Sequence, residues 1–195
     1  EGKALISAAE HDRITGLYSR NFFFEYVTRI FQYAPGMRMD AIVLNIEQFH
    51  TINAVNGREF GDEVLRAIGS EIRAFLEETQ GIASRFEGDL FDIYCVRQPD
   101  YQALLNRFQG KVRTAFPHVS IHLRMGVESF REGIDPVQQF DRARAASNMV
   151  RGDFQNPLMI YNEEMHQKEL LNQRLLDDLQ MAVKEKQLTV FYQPK

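Results

Sequence analysis

Apolar residues recur every three or four positions in several stretches of the chain, and this spacing predicts amphipathic helices. The first predicted helix follows Ser19, its expected N-cap, and the second runs from Phe49 to Val55, with Asn56-Gly57 as its stop. A long third helix is expected to open at Asp62. Further helices are predicted over residues 101–116, 136–149 and 163–186.

Short apolar runs between these helices predict strands. Residues 40–46, DAIVLNI, form a nearly continuous apolar run whose length and branched side chains are typical of a buried central strand. Residues 81–95 alternate around Gly88-Asp89 and predict a β-hairpin. Helices that alternate unevenly with strands, around this hairpin, predict an α/β (α+β) fold on one mostly antiparallel sheet. Other strands are expected at residues 119–127, 158–161 and 188–192.

Composition and charge narrow the classes of function. The 195 residues carry a formal net charge of −4 with both signs interspersed and no basic block, which argues against a nucleic-acid partner. The single cysteine, Cys95, lies in an apolar run and is expected to be a buried thiol in a reducing compartment. No apolar stretch approaches the roughly 20 residues that span a bilayer. We therefore expect a cytoplasmic fragment, whether or not upstream regions anchor the parent protein in a membrane.

Four motifs occur in order along the chain. They are DRITGLYSR (12–20), NIEQFHTIN (45–53), the NG and GD steps (56–57 and 61–62), and RFEGDLF (85–91). They resemble the DxLTGLxNR, DIDxFKxIN, GH and GD, and RxGGDEF motifs of the GGDEF family, the bacterial diguanylate cyclases. The resemblance runs from residue 11 to 161. It implies a five-stranded, mostly antiparallel sheet flanked by helices, similar to the palm of nucleotidyl cyclases and polymerases.

The tail, residues 176–194, resembles the first helix and first strand of an EAL domain, the phosphodiesterase that hydrolyses cyclic di-GMP. Both chain ends look cut, so we expect a piece of a tandem GGDEF–EAL protein. Its expected partners are the adjoining EAL domain and an upstream sensor domain, with a homodimer and GTP left open. The expected parts are the end of an upstream linker helix (1–10), a degenerate GGDEF domain (11–162), and a linker helix with a truncated EAL start (163–195).

The resemblance implies that two GTP molecules condense to cyclic di-GMP, with Mg²⁺ held by carboxylates of the central strand and the hairpin. Here Asn45 stands where the family has its strand aspartate, and Leu90 replaces the signature glutamate. Glu87 replaces the first signature glycine and brings a negative charge beside a polyanion, whereas Asp89 is retained. Glu47 could substitute with a longer reach. We expect these positions to be vestigial, with no metal bound.

The groups that hold the triphosphate are also expected to be weakened. Asn148 and Gly152 fall where the family's AKxxGR pattern has its lysine and arginine, and His50 replaces another lysine. Arg151, one place away, could compensate. Residues 78–81, ETQG, replace the RxxD motif of the family's product-inhibition site, so feedback binding is expected to be absent.

Asn53 and Asp62 match the residues with which the family reads guanine, because an amide and a carboxylate can pair with that base's edge. The structural alternative is capping, in which Asp62 begins the long helix and Asn53 caps its own short helix. The leading hypothesis is a catalytically inactive GGDEF domain that serves the EAL domain as a regulatory and dimerisation module. Two alternatives stay open: a GTP-binding sensor that activates the phosphodiesterase, and a weak cyclase using Glu47 and Asp89. Mg²⁺ is expected only with GTP, if nucleotide binding is retained.

Overall fold

The computed structural model describes residues 10–185 and residue 187. Its helices are α1 (Arg20–Tyr33), α2 (Phe49–Asn56), α3 (Arg58–Glu78), α4 (Tyr101–Ala115), α5 (Pro136–Met149) and α6 (Glu163–Lys184). Its strands are β1 (Met39–Ile46), β2 (Gly81–Arg85), β3 (Leu90–Val96), β4 (Leu123–Glu128) and β5 (Leu158–Ile160). Ser19 stands at the N-cap of α1, as predicted, and α5 has the predicted bounds.

In the described part of the chain, five strands form one sheet in the order β2-β3-β1-β4-β5. Neighbouring strands pair antiparallel except β4 and β5, which pair in parallel. β1 is the central strand, and all of its residues are buried because helices cover both faces of the sheet. This mostly antiparallel sheet flanked by helices confirms the predicted fold class.

Alternate residues of β1 belong to two separate cores. Ile42 and Leu44 pack with the apolar sides of α3 and α4 on one face of the sheet. Ala41 and Val43 pack with α1 and α5 on the other face. On this second face α5 lies so close to β4 that a Cβ at Gly126 would meet the Ala143 carbonyl oxygen at 2.0 Å. Strand and helix therefore touch backbone to backbone.

Two predicted starts differ from the structure by four residues. α3 begins at Arg58 rather than at Asp62, because Gly57, at φ +88°, turns the chain directly from α2 into α3. β4 begins at Leu123 rather than at residue 119. The Gln109 side chain donates to the Ile121 carbonyl and accepts from the Leu123 N–H. These backbone groups are therefore satisfied without pairing to a neighbouring strand.

The chain divides into two compact units, Glu1–Tyr161 and Asn162–Lys195. The second contains α6, which confirms the predicted charged helix but ends at Lys184. Its exposed apolar side chains include Leu170, Leu171, Leu175, Leu179 and Val183. The predicted helix over residues 1–10, apart from residue 10, and the predicted strand at 188–192 lie outside the described residues. Among the helices that are described, none is long and apolar enough to cross a membrane.

Candidate functional site

The turn of the β2–β3 hairpin closes against the end of β1. The Leu90 N–H donates to the Glu87 carbonyl at 3.0 Å, which places Gly88 (φ +55°) and Asp89 at the centre of the turn, as predicted. The Asp89 carbonyl accepts from the Ile46 N–H at 3.3 Å. Asp89 therefore stands beside the last residue of the central strand.

Arg85, at the end of β2, holds this turn in place. Its Nε donates to the Gly88 carbonyl at 2.8 Å and its Nη1 donates to Asp12 Oδ1 at 3.1 Å. The other oxygen of Asp12 accepts from the N–H and the hydroxyl of Thr15, at 2.8 and 2.7 Å. The first and the last of the four sequence motifs thus meet in one hydrogen-bonded network.

A buried network occupies the end of β1. Arg124 lies directly opposite Asn45 in the β1–β4 ladder, and its Nη1 donates to Glu47 Oε1 at 2.8 Å. Its Nε donates to the Ser147 hydroxyl at 3.3 Å, and that hydroxyl donates to Asn45 Oδ1 at 3.1 Å. The Gly152 N–H donates to the same Glu47 oxygen at 3.3 Å. The four side chains belong to residues no more than 8% exposed, so water screens the ion pair little.

Arg124 and Ser147 are the site residues that sequence reasoning missed. One signal was available, because an arginine inside an otherwise apolar strand needs a charged partner when it is buried. The period of two along β4 places Arg124 on the same face as Gly126, which packs against α5. The partner itself, Glu47, is 77 residues away along the chain, and only the β1–β4 register identifies it.

These residues do not fit a divalent metal ion. Mg²⁺ needs hard, preferably anionic oxygens that are free to coordinate, but Glu47 is held by Arg124, and Asn45 accepts from Ser147. Leu90, the partner of Asn45 in the β1–β3 ladder, packs against the apolar core beneath α1 and α5. A metal ion would also be repelled by the Arg124 guanidinium. Near a protein surface, two positive unit charges about 4 Å apart repel each other by about 4 kcal/mol. Among the described residues, no group of three or more Asp, Glu, His or Cys side chains could hold a metal.

Asp89, the retained signature residue, lies half-buried beside this network. Burial raises the pKa of Asp89 above the ordinary aspartate value, against the lowering effect of the nearby Arg124 and Arg151 charges. The negative charge of Glu47 raises that pKa as well. Glu87 is exposed at the turn. Asp89 is therefore the partly buried acid of the turn, and Glu87 is the exposed one.

The predicted triphosphate positions lie at the C-terminal end of α5 and in α2. Asn148 and Arg151 are exposed, and Arg151 Nη2 donates to Asn148 Oδ1 at 3.1 Å. Gly152, at φ +78°, directs its N–H to Glu47 instead of supplying a positive side chain. His50 is exposed in α2, with Nε2 at 3.2 Å from the Thr51 hydroxyl. Arg151 is thus the positive side chain of this group that the structure places near Asp89.

Neither Asn53 nor Asp62 caps a helix, so the capping alternative is wrong for both. Asn53 lies inside α2 and Asp62 lies inside α3. The Asn53 amide rests on Gly61, where an added Cβ would stand 1.8 Å from Asn53 Oδ1. This oxygen is buried, and within the described residues it has no hydrogen-bond partner. The structure therefore places Asn53 against the residue that precedes Asp62, and the Asn53 side-chain oxygen is an unsatisfied acceptor.

The position of the family's product-inhibition motif carries an internal ion pair. Arg107 on α4 donates to both carboxylate oxygens of Glu78, at 2.7 and 2.8 Å, and its Nε donates to Glu71 at 2.7 Å. The hydrogen bond from Arg107 holds the pKa of Glu78 below its ordinary value. An acidic side chain, already paired, thus stands where the RxxD motif has its arginine.

Comparison with known proteins identifies the class of this domain. The family model described as diguanylate cyclase, GGDEF domain, matches residues 9–153. The chain therefore belongs to the GGDEF domain family of cyclic di-GMP signalling proteins.

Three individual proteins illustrate this likeness. Cyclic di-GMP phosphodiesterase PdeR of Escherichia coli (strain K12) is 26% identical over 198 residues, which cover 96% of this chain and 29% of that protein. The coiled coil and GGDEF domain of DgcB from Caulobacter crescentus, in complex with c-di-GMP, matches with a TM-score of 0.68 and 20% identity over 81% of this chain and 88% of that one. Vibrio cholerae LapD S helix-GGDEF-EAL, bound to c-di-GMP, matches with a TM-score of 0.66 and 17% identity over 91% and 45%. The two structural likenesses show the fold, and the chain spans less than a third of PdeR's length.

Proposed function

We propose that residues 11–162 form a catalytically inactive GGDEF domain with a degenerate signature, which regulates an adjoining EAL domain and contributes to its dimerisation. The buried Arg124–Glu47 pair at the end of β1 carries this proposal, because it occupies the carboxylate two residues beyond the position of the family's strand aspartate. Asn45 and Leu90 carry no charge at the expected metal site. Asp89 is the acid of the family signature that remains there.

The missing groups have a large energetic effect. One lost group that stabilises transition-state charge costs about 3–4 kcal/mol in other enzymes. This chain lacks the strand aspartate, the signature glutamate and the lysine at the position of Asn148. Their combined loss would remove a useful rate of GTP condensation even when such effects are not additive.

Two observations support an EAL domain as the regulated partner. The chain is similar along 96% of its length to PdeR, which is named a cyclic di-GMP phosphodiesterase. Its match to the LapD structure, which contains both GGDEF and EAL domains, covers 91% of this chain. In this proposal α6 is the linker, residues 163–195 include the start of the EAL domain, and an upstream sensor and a second copy of the chain are further partners in the cytoplasm.

The test is to incubate the purified chain with GTP and Mg²⁺ or Mn²⁺ and to separate the products by chromatography, with an active cyclase as positive control. We expect no cyclic di-GMP. Clear turnover would overturn the proposal and favour the weak cyclase that uses Glu47 and Asp89.

A second candidate function, GTP binding without turnover, is favoured by the unsatisfied Asn53 Oδ1. A guanine N–H could donate to this acceptor once the Asn53 amide turns away from Gly61, and would remove the cost of leaving it unpaired. Calorimetry with millimolar GTP tests this function. Asn53→Ala should abolish binding because it removes this acceptor, whereas Gly110→Ala, with nothing within 4 Å, should retain it. Absence of binding heat in the unsubstituted chain would reject this candidate.

A further inference from the structure

The Arg124 guanidinium lies among the residues that stand at the family's metal-binding positions. It is paired across the sheet with Asn45 and bonded to Glu47 at 2.8 Å. The strand position of the expected metal site thus faces a buried cation.

We infer that Arg124 is a built-in replacement for the divalent cation, so that this cleft is permanently neutralised by the chain's own charge and takes up neither Mg²⁺ nor Mn²⁺. This inference deepens the proposed function and rests on it for its biological meaning. It makes a separate claim, because a domain can fail to condense GTP and still bind a metal ion.

The bonding of the network supports a replacement rather than an incidental contact. A buried guanidinium needs a carboxylate and further acceptors, and Arg124 has both in Glu47 and the Ser147 hydroxyl. Glu47, in turn, has its Oε1 filled by Arg124 and by the Gly152 N–H. One carboxylate oxygen of Glu47 and the amide oxygen of Asn45 are therefore already used by donors from β4, from α5 and from the residues after it.

The same bonds give the cation a structural role. Arg124 connects β4 to Glu47, just beyond β1, and to Ser147 on α5. A metal ion would link the strand to the hairpin only while it is bound. A covalently attached guanidinium links strand and helix at any metal concentration, so the cleft geometry becomes independent of divalent cations.

The test is a Mn²⁺ titration of the 195-residue chain in the absence of nucleotide, monitored by electron paramagnetic resonance. We expect no ion bound at millimolar Mn²⁺ in the unsubstituted chain. We expect a bound ion in the double variant Asn45→Asp with Arg124→Met, which restores the strand carboxylate and removes the competing cation. Its affinity for Mn²⁺ should be at least tenfold tighter than that of the unsubstituted chain. The matched control, Asn45→Asp alone, keeps Arg124 and should stay unable to bind.

Two outcomes overturn the inference. One is Mn²⁺ bound by the unsubstituted chain and lost in Asp89→Asn; the other is a folded double variant that gains no binding. Circular dichroism establishes folding, and if Arg124→Met does not fold, Arg124→Gln keeps hydrogen-bonding capacity without charge and takes its place. A chain that binds Mn²⁺ but makes no cyclic di-GMP would sink this inference and leave the proposed function standing, whereas turnover of GTP would sink the proposed function.

Discussion

Arg124 stands directly opposite Asn45 on the neighbouring strand, and its guanidinium reaches past that amide to Glu47 at 2.8 Å. The pair is buried, so each charge depends on the other for compensation. A cation of the protein itself therefore lies at the end of the central strand, and its removal or isolation has measurable effects.

Isolating this charge should destabilise the domain strongly. Glu47→Gln leaves Arg124 buried without its carboxylate, and we expect a loss of about 3–5 kcal/mol in the free energy of unfolding. Urea unfolding monitored by circular dichroism measures it. The control is Glu25→Gln, which breaks an exposed ion pair with Arg29 and should change stability by less than about 1 kcal/mol. Equal effects of the two substitutions would contradict the assignment of a buried pair.

A side chain at Gly61 should force the Asn53 amide to move. Its Cβ would stand 1.8 Å from Asn53 Oδ1 and 3.2 Å from the Phe49 ring, so Gly61→Ala should lower stability by about 1–3 kcal/mol through overpacking. Gly110→Ala in α4 meets no atom within 4 Å and should raise stability by up to about 1 kcal/mol, as alanine does inside a helix. Thermal unfolding of the two variants distinguishes the sites, and a stabilising Gly61→Ala would refute the close contact.

Asp92 should make stability depend on pH. Burial raises its pKa to about 6, against the attraction of Arg144 and Arg20, and Arg144 is itself partly screened by solvent. The folded chain then binds this proton more tightly than the unfolded chain, whose aspartate titrates near 3.8. The resulting stabilisation is complete below the unfolded value and is lost as the pH rises through 6.

Comparison with Asp92→Asn isolates this effect, because the amide does not titrate. Between pH 4 and pH 7 the unsubstituted chain should lose about 2 kcal/mol of unfolding free energy relative to the variant. Urea unfolding at several pH values measures the difference. A difference that stays constant over this range would show that the buried carboxyl has an ordinary pKa.

Arg85 should control the order of the hairpin turn. Arg85→Ala removes the bonds to the Gly88 carbonyl and to Asp12, and we expect a loss of about 1–3 kcal/mol with faster amide exchange at Asp89 and Leu90. Hydrogen exchange monitored by NMR tests this. Arg29→Ala, which removes an exposed partner of Glu25, serves as the control and should leave exchange at the hairpin unchanged.

Local patterns predicted much of the fold. The apolar run at 40–46 and the turn residues Gly88-Asp89 specified the central strand and the hairpin, because burial and left-handed backbone geometry leave few other arrangements. The start of α3 was missed because Asp62 resembles an N-cap. In the structure the preceding Gly61 lies inside the helix as a close-packing position for Asn53, which depends on a neighbouring helix and not on local propensity.

The candidate site was predictable only in part, for a related reason. Asn45, Glu47 and Asp89 come from motifs that are continuous along the chain, so their meeting at one end of β1 followed from the expected hairpin and strand. Arg124 joins them through the register of β4 against β1, a long-range property that its own segment does not encode. The predicted start of that strand at residue 119 was also wrong, so its register could not be placed.

The contact at Gly126 has a mechanical consequence. A methyl group at residue 126 would stand only 2.0 Å from the Ala143 carbonyl oxygen and 2.3 Å from the Ser147 nitrogen. α5 and β4 therefore leave no room for a side chain between them. Any side chain at residue 126 would have to separate the helix from the strand. The spacing between α5 and the strand that carries Arg124 is therefore fixed by the absence of a single methyl group.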